Sequence, residues 1–402
     1  MRVLLFTGKG GVGKTTLAAA TAARLAAAGR KTLVVSTDPA HSLGDALGVH
    51  LTGDPTEPAD GLFASQLDLR RLVDANWRHL RTHLRTLLAG AGVDDLAAEE
   101  LTVLPGVEEL LALSDVYRQA AAGPWEVVVV DCGPTAETLR LLALPEALAG
   151  YLERLFPTHR RVVRGLLAGV AGARQVDRWD AAADALSRLA EHVDALRHAL
   201  ADPTRTSVRL VTTPERVVAA ETRRTLTALA VQGIRVDGVI ANRLIPVFGP
   251  RRGPSATWLH TRRAEQEAVL AEFADVPLRT VPHLPTEPIG VPALLDVAAD
   301  LYGDDDPMTE AGPATPLLSV SGSGQGLDSR YQLRITIPLT GDADIDLARV
   351  GDELAVTVDG RRRLIALPPV LRRCEVKAAE VDGEGLLIHF RPDPTLWPRP
   401  AD

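Results

Sequence analysis

An α/β protein is what this sequence predicts: a doubly wound, mostly parallel sheet with inserted helical segments, followed by a small β-sandwich near the C-terminal end. Three observations carry that prediction. Strand-like apolar runs alternate with helical patterns through most of the chain, which is the signature of β-α-β units. The first run, Val3 to Thr7, feeds a glycine-rich loop that opens directly into an alanine-rich helix, the arrangement of a P-loop. After Ser329 the apolar period shortens to two residues and the chain breaks at regular turn signals.

The loop is the sharpest signal. Gly8, Lys9, Gly10, Gly11, Val12, Gly13, Lys14, Thr15 and Thr16 follow the first strand without interruption, and Gly8-x4-Gly13-Lys14-Thr15 is a full Walker A spacing. The glycines remove side chains that would keep backbone N–H groups from wrapping a polyphosphate, and the positive end of the next helix adds to the attraction. Lys14 is placed to reach the β- and γ-phosphates, and Thr15 to ligate Mg2+ through its hydroxyl. A nucleotide and Mg2+ are therefore expected. Lys9 is not needed to hold phosphate from its own chain and asks for a separate explanation.

Taken in order, Lys14 to Ala28 reads as a helix of good helix formers stopped by Gly29. Lys31 to Thr37 is the next buried strand, ending at Asp38-Pro39-Ala40-His41-Ser42-Leu43 on the side where parallel sheets gather ligands. From Leu62 onward a helical block is expected, with Leu69, Leu72, Val73, Trp77, Leu80, Leu84, Leu87 and Leu88 at helical spacing and a further apolar face over Leu110 to Tyr117. Glu126 to Asp131 is a β-branched strand closing on an acid, the Walker B form, so Asp131 can hold Mg2+ through its water shell. A second helical block runs from Pro145 to about Ala201. The sheet resumes with Val208 to Thr212, a helix from Glu215 to Gln232, and a strand Val236 to Ala241 that ends at Asn242. Phe248 to Thr257, rich in Gly, Pro and Arg, reads as a loop.

Lys9-Gly10-Gly11-Val12-Gly13-Lys14-Thr15 resembles the deviant Walker A of the ArsA, MinD, ParA and nitrogenase iron-protein families. Ser36-Thr37-Asp38-Pro39-Ala40-His41-Ser42-Leu43 narrows this to the first switch of the ArsA family, the branch that includes arsenite-pump ATPases and the eukaryotic tail-anchored-protein targeting factor. Asp131 to Arg140 resembles that family's second switch, departing from it at Cys132, Gly133, Ala136 and Glu137. The resemblance covers residues 1–302, with helical insertions at about 69–122 and 145–201. It implies ATP hydrolysis in a homodimer whose nucleotide faces meet, with Lys9 reaching the partner's nucleotide. It further implies that Asp38 orients and activates the attacking water and stands beside Mg2+ with Thr15 and Asp131, and that Lys14 and Lys9 complete the catalytic set. Asn242 would meet the adenine edge, and Val281 to Gly290, including Pro282 and Glu287, would close over adenine and ribose. In the targeting factor the inserted helices form a methionine-rich groove for a protein client. Here the only methionines are Met1 and Met308, so that adaptable lining is missing.

Residues 303–328 are rich in Asp, Gly, Pro, Ser and Thr and describe a flexible linker. Over 329–393, Tyr331 to Ile337 alternates with period two, and Leu354 to Val358 and Leu386 to Phe390 follow between turn signals. With Leu364-Ile365-Ala366-Leu367-Pro368 and the glycines before Leu386, this sandwich resembles an α-crystallin (small heat-shock) domain, expected to dock on the helical region or to supplement client binding.

Composition bounds the function. A formal net charge of −8 disfavours nucleic acid or an anionic membrane surface as a partner, and no basic patch or terminal amphipathic anchor supports a ParA- or MinD-like positioning role. The two cysteines, Cys132 and Cys374, form neither a disulfide framework nor the thiolate cluster that an arsenite-exporter subunit needs, and they fit a reducing, cytoplasmic setting. The chain has no run of about 20 apolar residues, so only transient contact with a membrane partner is expected. An ATP-gated carrier or chaperone for a protein client is the reading left in front of those two rivals.

Overall fold

A computed structural model describes residues 1–38, 42–68, 107–134, 191, 194–196, 198–247, 254–309, 318–338 and 343–397. The first expected helical block through Leu88, the bulk of the second, and Pro39 to His41 and Thr135 to Arg140 of the two switches lie outside those residues.

The chain starts in the middle of its main sheet. Strand β1 (Arg2–Gly8) leads into helix α1 (Lys14–Ala27), then β2 (Thr32–Ser36) and the short α2 (Ser42–Leu47). An edge hairpin, β3 (Thr56–Ala59) and β4 (Leu62–Gln66), precedes helix α3 (Val107–Ala122) and strand β5 (Val127–Pro134). The second half adds β6 (Thr206–Thr212), α4 (Arg216–Val231), β7 (Val236–Leu244), α5 (Pro254–Leu270), β8 (Leu278–Pro282) and α6 (Val291–Tyr302). The eight strands lie in the order β3-β4-β2-β5-β1-β6-β7-β8, parallel except for β3 at the edge. Because β1 is flanked by β5 and β6, the phosphate loop leaves the sheet where the strand order reverses, the crevice in which such sheets bind ligands.

Alternation along β1 builds two cores. Val3 and Leu5 face one side, with Val128, Val130 and residues of α3 and α4, whereas Leu4 and Phe6 face the other, against α1 and α6. Helix α1 is buried along most of its length, which explains its string of alanines: small side chains let it lie close to the sheet and to α6. Gly29, at φ 84°, ends it as the sequence predicts, with the Gly29 and Arg30 amides returning to the carbonyls of Ala26 and Leu25.

Three expectations are corrected. Leu62 does not open a helical block: Leu62–Gln66 is an almost wholly buried strand parallel to β2, and a run this short carries no periodicity that separates strand from helix. Pro254 to Thr257 is the first turn of α5, where a proline lacking an N–H costs no hydrogen bond. Residues 303–309, expected as the start of a linker, are strapped to the ATPase unit. Arg24 donates to the Gly303 carbonyl at 3.1 Å, Arg279 pairs with Asp305 at 3.0 Å, Arg30 clasps Asp306, and the buried Arg209 donates to the Pro307 carbonyl. Arg209 also binds the Tyr302 hydroxyl at 2.8 Å and Asp237 at 3.1 Å.

The C-terminal unit is a sandwich of a four-stranded and a three-stranded antiparallel sheet. Its strands are β9 (Leu318–Ser323), β10 (Arg330–Thr336), β11 (Ile345–Val350), β12 (Glu353–Val358), β13 (Arg361–Ala366), β14 (Cys374–Asp382) and β15 (Gly385–Pro392), with a single turn of helix, α7 (Pro369–Arg372), before β14. Strand β9 falls inside the stretch expected as linker and pairs along β10. The sandwich is seated on α4: Ala230 and Val231 share its apolar core with Ile335, Val356 and Phe390. Arg363 donates to the Val231 carbonyl at 2.8 Å, setting a cation at the negative end of α4, and the Thr227 hydroxyl donates to the Pro338 carbonyl.

Candidate nucleotide-binding site

The carboxyl ends of β1, β2 and β5 meet because their parallel registers place Phe6 beside Asp131 and Asp131 beside Ser36. From this line the loop turns over β6 and β7. Gly8 is required by a close approach, since a Cβ there would stand 2.1 Å from the Val211 carbonyl oxygen. Gly13, at φ 93°, is required twice over: the left-handed conformation favours glycine, and a Cβ would lie 2.4 Å from Asn242 Nδ2. No side chain caps the first turn of α1 and no acid lies in it, so its amides are presented to an anion.

Beneath the loop lies a buried polar cluster. Asp131 is fully buried; its Oδ2 accepts hydrogen bonds from Thr15 Oγ1 at 2.8 Å and from Ser36 Oγ at 3.2 Å. Its Oδ1 is buried with no hydrogen-bond partner among the described residues. Burial pushes the Asp131 carboxyl up to about 6 from its ordinary 3.8, against the opposing pull of the Thr15 bond and the Lys14 charge. A buried carboxylate oxygen left without a donor, next to a threonine hydroxyl, fits a hydrated cation. Among the described residues no group of three or more His, Cys, Asp or Glu side chains is placed to hold a metal on its own. Such a donor set suits Mg2+, which keeps waters and takes its remaining ligands from phosphates.

The first switch is anchored to the same strands. The Asp38 amide donates to Ser36 Oγ at 3.2 Å, the Asp38 carbonyl accepts from Gln66 Nε2 at 2.7 Å, and the Thr37 amide donates to the Asp131 carbonyl at 2.9 Å. Ser42, which opens α2, lies with its hydroxyl 3.1 Å from Thr15 Oγ1. Ser36, Gln66 and Ser42 carried no role in the sequence reading. Gln66 is brought to the site by its register opposite Ser36, a pairing invisible in local pattern.

Lys14 is buried, with Nζ donating to the Lys9 carbonyl at 3.2 Å inside the loop it serves. Lys9 is 41% exposed at the side chain and pairs in its own chain with Glu221 of α4 at 3.5 Å. Asn242 braces the loop itself: Nδ2 donates to the Val12 carbonyl at 2.8 Å and Oδ1 accepts from the Arg243 amide at 2.9 Å. Pro282 ends β8 opposite Leu244, and Glu287 is exposed on the following loop, which is tied to α2 through the Gly290 amide and the Ala46 carbonyl at 2.9 Å. No hydrogen bond or ion pair among the described residues joins Pro282 or Glu287 to the phosphate loop.

Comparison with known proteins agrees with this geometry. The family profile described as anion-transporting ATPase (ArsA ATPase) matches residues 1–303, and that of the HSP20-like domain found in ArsA matches residues 328–390. The chain belongs to the ArsA ATPase family. It is 42% identical to Protein Rv2184c of Mycobacterium tuberculosis, over 99% of this chain and 97% of that one. It is 33% identical to a putative arsenical pump-driving ATPase of Chlorobaculum tepidum, over 97% of this chain and 96% of that one. ATPase GET3B of Arabidopsis thaliana is 30% identical over 71% of this chain and 75% of its own. This ArsA-family member is thus a nucleotide-binding ATPase that hydrolyses ATP, carrying an HSP20-like domain. Among the described residues no helix is long and apolar enough to cross a membrane.

Proposed function

We propose that this protein is a Mg2+-dependent, dimeric ATP switch of the cytoplasm that couples nucleotide turnover to handling of a protein client. The observation that carries the switch is the shared anchorage of Asp38 and Asp131. Ser36 Oγ touches both, so whatever is held at Asp131 is felt by the backbone of Asp38. Lys14 and the amides from Gly10 to Thr15 bind the phosphates. Thr15 and Asp131 would hold the metal, which would supply charge neutralisation at the phosphates. Asp38 orients the water that attacks the terminal phosphate and takes up its proton. Lys9 leaves Glu221 and adds its charge to the partner's nucleotide when two nucleotide faces meet. Asn242, Pro282 and Glu287 border the base and ribose.

The client reading draws on the HSP20-like sandwich, whose nine-residue strand β14 pairs, among the described residues, only on its β15 side and exposes Val376 and Val381. The arsenite reading draws support from relatives that are named as putative arsenical pump-driving ATPases. Against it, Cys132 and Cys374 are each buried, one in the ATPase core and one in the sandwich core, so they offer no paired thiolate site.

The test is mass measurement by light scattering together with turnover. Wild-type protein with ATP and Mg2+ should form dimers. Lys9→Ala should bind nucleotide normally yet lose most ATP turnover; normal turnover would remove the face-to-face dimer from this reading.

A further inference from the structure

Ser42 has so far been given no role, and its contact with Thr15 has a definite polarity. The Thr15 hydroxyl hydrogen is committed to Asp131 Oδ2 at 2.8 Å. The 3.1 Å contact between Thr15 Oγ1 and Ser42 Oγ is therefore donated by Ser42 into one lone pair of Thr15. A hydroxyl oxygen has two lone pairs and one hydrogen. With its hydrogen on Asp131 and one lone pair taken by Ser42, Thr15 Oγ1 keeps a single lone pair, in a fixed direction, for a cation.

We infer that Ser42 is a positioning residue for the Mg2+ ligand Thr15: it locks the rotation of the Thr15 hydroxyl and thereby ties the far end of the first switch to the metal. The inference rests on the reading of Thr15 and Asp131 as the cation site. Three features of the site support it. Asp131 Oδ1, buried and without a partner among the described residues, already directs a cation to this corner. Ser42 opens α2, and Gly290 of the loop after β8 is bonded to Ala46 of the same helix, so α2 is held at both ends. Asp38 and Ser42 bracket the switch segment, one anchored to Ser36 and Gln66, the other to Thr15. A cation that fixes Thr15 therefore fixes both ends of the segment carrying Asp38.

Partners that orient a metal ligand typically contribute about 10–100-fold to metal affinity. The experiment uses the full chain with bound ADP and Mn2+ as the probe, free Mn2+ being read by electron paramagnetic resonance. Ser42→Thr keeps the hydroxyl, and Ser42→Val replaces it by a methyl at the same shape. The valine variant should bind Mn2+ roughly tenfold more weakly than the threonine variant. The threonine variant should match the wild type, and all three should bind ADP equally in EDTA. Equal Mn2+ affinity in the two variants overturns the role of Ser42. Thr15→Val is the control. If it too leaves Mn2+ affinity unchanged, the cation site itself is misassigned and both readings fall. If Thr15→Val loses the metal while Ser42→Val retains it, only the inference about Ser42 falls.

Discussion

Asp131 and Asp382 each lie on a strand, one in the ATPase sheet and one in the sandwich, and their surroundings push them in opposite directions. Asp131 is fully buried, half satisfied, and raised to about 6 chiefly by burial. Asp382 is exposed, gripped by both Arg334 nitrogens at 2.9 and 2.8 Å, and held down to about 2 chiefly by those hydrogen bonds. A fold that seeks only stability settles its carboxylates as Asp382 is settled. A buried carboxylate oxygen kept without a donor costs free energy, and it marks where the molecule expects something from outside. The same contrast extends to a second atom of the site: Gln66 Oε1 is also buried without a hydrogen-bond partner among the described residues.

The deepest loss should come from the hydrolytic chemistry itself. Asp38→Asn should keep ATP affinity, since Lys14 and the loop amides are the groups proposed to do the binding, and should lose about 10²–10⁴-fold in turnover. Steady-state phosphate release measured beside nucleotide affinity would check it, and near-normal release would remove Asp38 from the reaction.

Cutting the sandwich away should do much less to turnover. Because β9 belongs to that unit, the clean truncation removes residues 318–402, leaving the strap at 303–309 in place. ATP turnover should stay within a few-fold, while Ala230 and Val231 lose their cover and the thermal midpoint falls. Suppression of aggregation of an unfolded test protein should fall as well. Abolished turnover in a folded truncation would make the sandwich part of the active assembly.

A smaller effect is expected from pH on the sandwich. The Asp382 carboxyl has a folded value near 2 against an ordinary 3.8, so its contribution to stability is complete above about pH 4 and is lost as pH falls toward 2. Arg334→Gln should flatten that part of the acid-unfolding curve; an unchanged curve would show the pair to be thermodynamically silent.

How much of this was legible in the chain follows the distances over which the contacts run. The phosphate loop, the Walker B strand and the stop at Gly29 are local patterns, and each element lies within a few residues of its expected bounds. Asn242 was legible as a strand-end residue, but its grip on the Val12 carbonyl spans 230 positions. Gln66 and Ser42 depend on strand register and on the return of α2, which no window of sequence contains. The strap at 303–309 misled for a different reason. Its Asp, Gly and Pro content is that of a linker, and only the four arginines waiting on other elements turn it into a fixed segment.

If the Asp131 corner is shaped for an ATP-bound cation at the expense of the empty fold, as proposed, Asp131→Asn should separate stability from turnover. Burial raises the Asp131 carboxyl to about 6, so the folded state favours its neutral form. Stability is therefore lost as pH rises from about 4 to 6, and the ionised group is a constant penalty above that range. At pH 7, the nucleotide-free Asp131→Asn protein should be more stable to urea by about 1–3 kcal/mol, while its Mg2+-dependent ATP turnover collapses. A variant that is less stable than the wild type, or one that retains metal-dependent turnover, would remove Asp131 from the cation site.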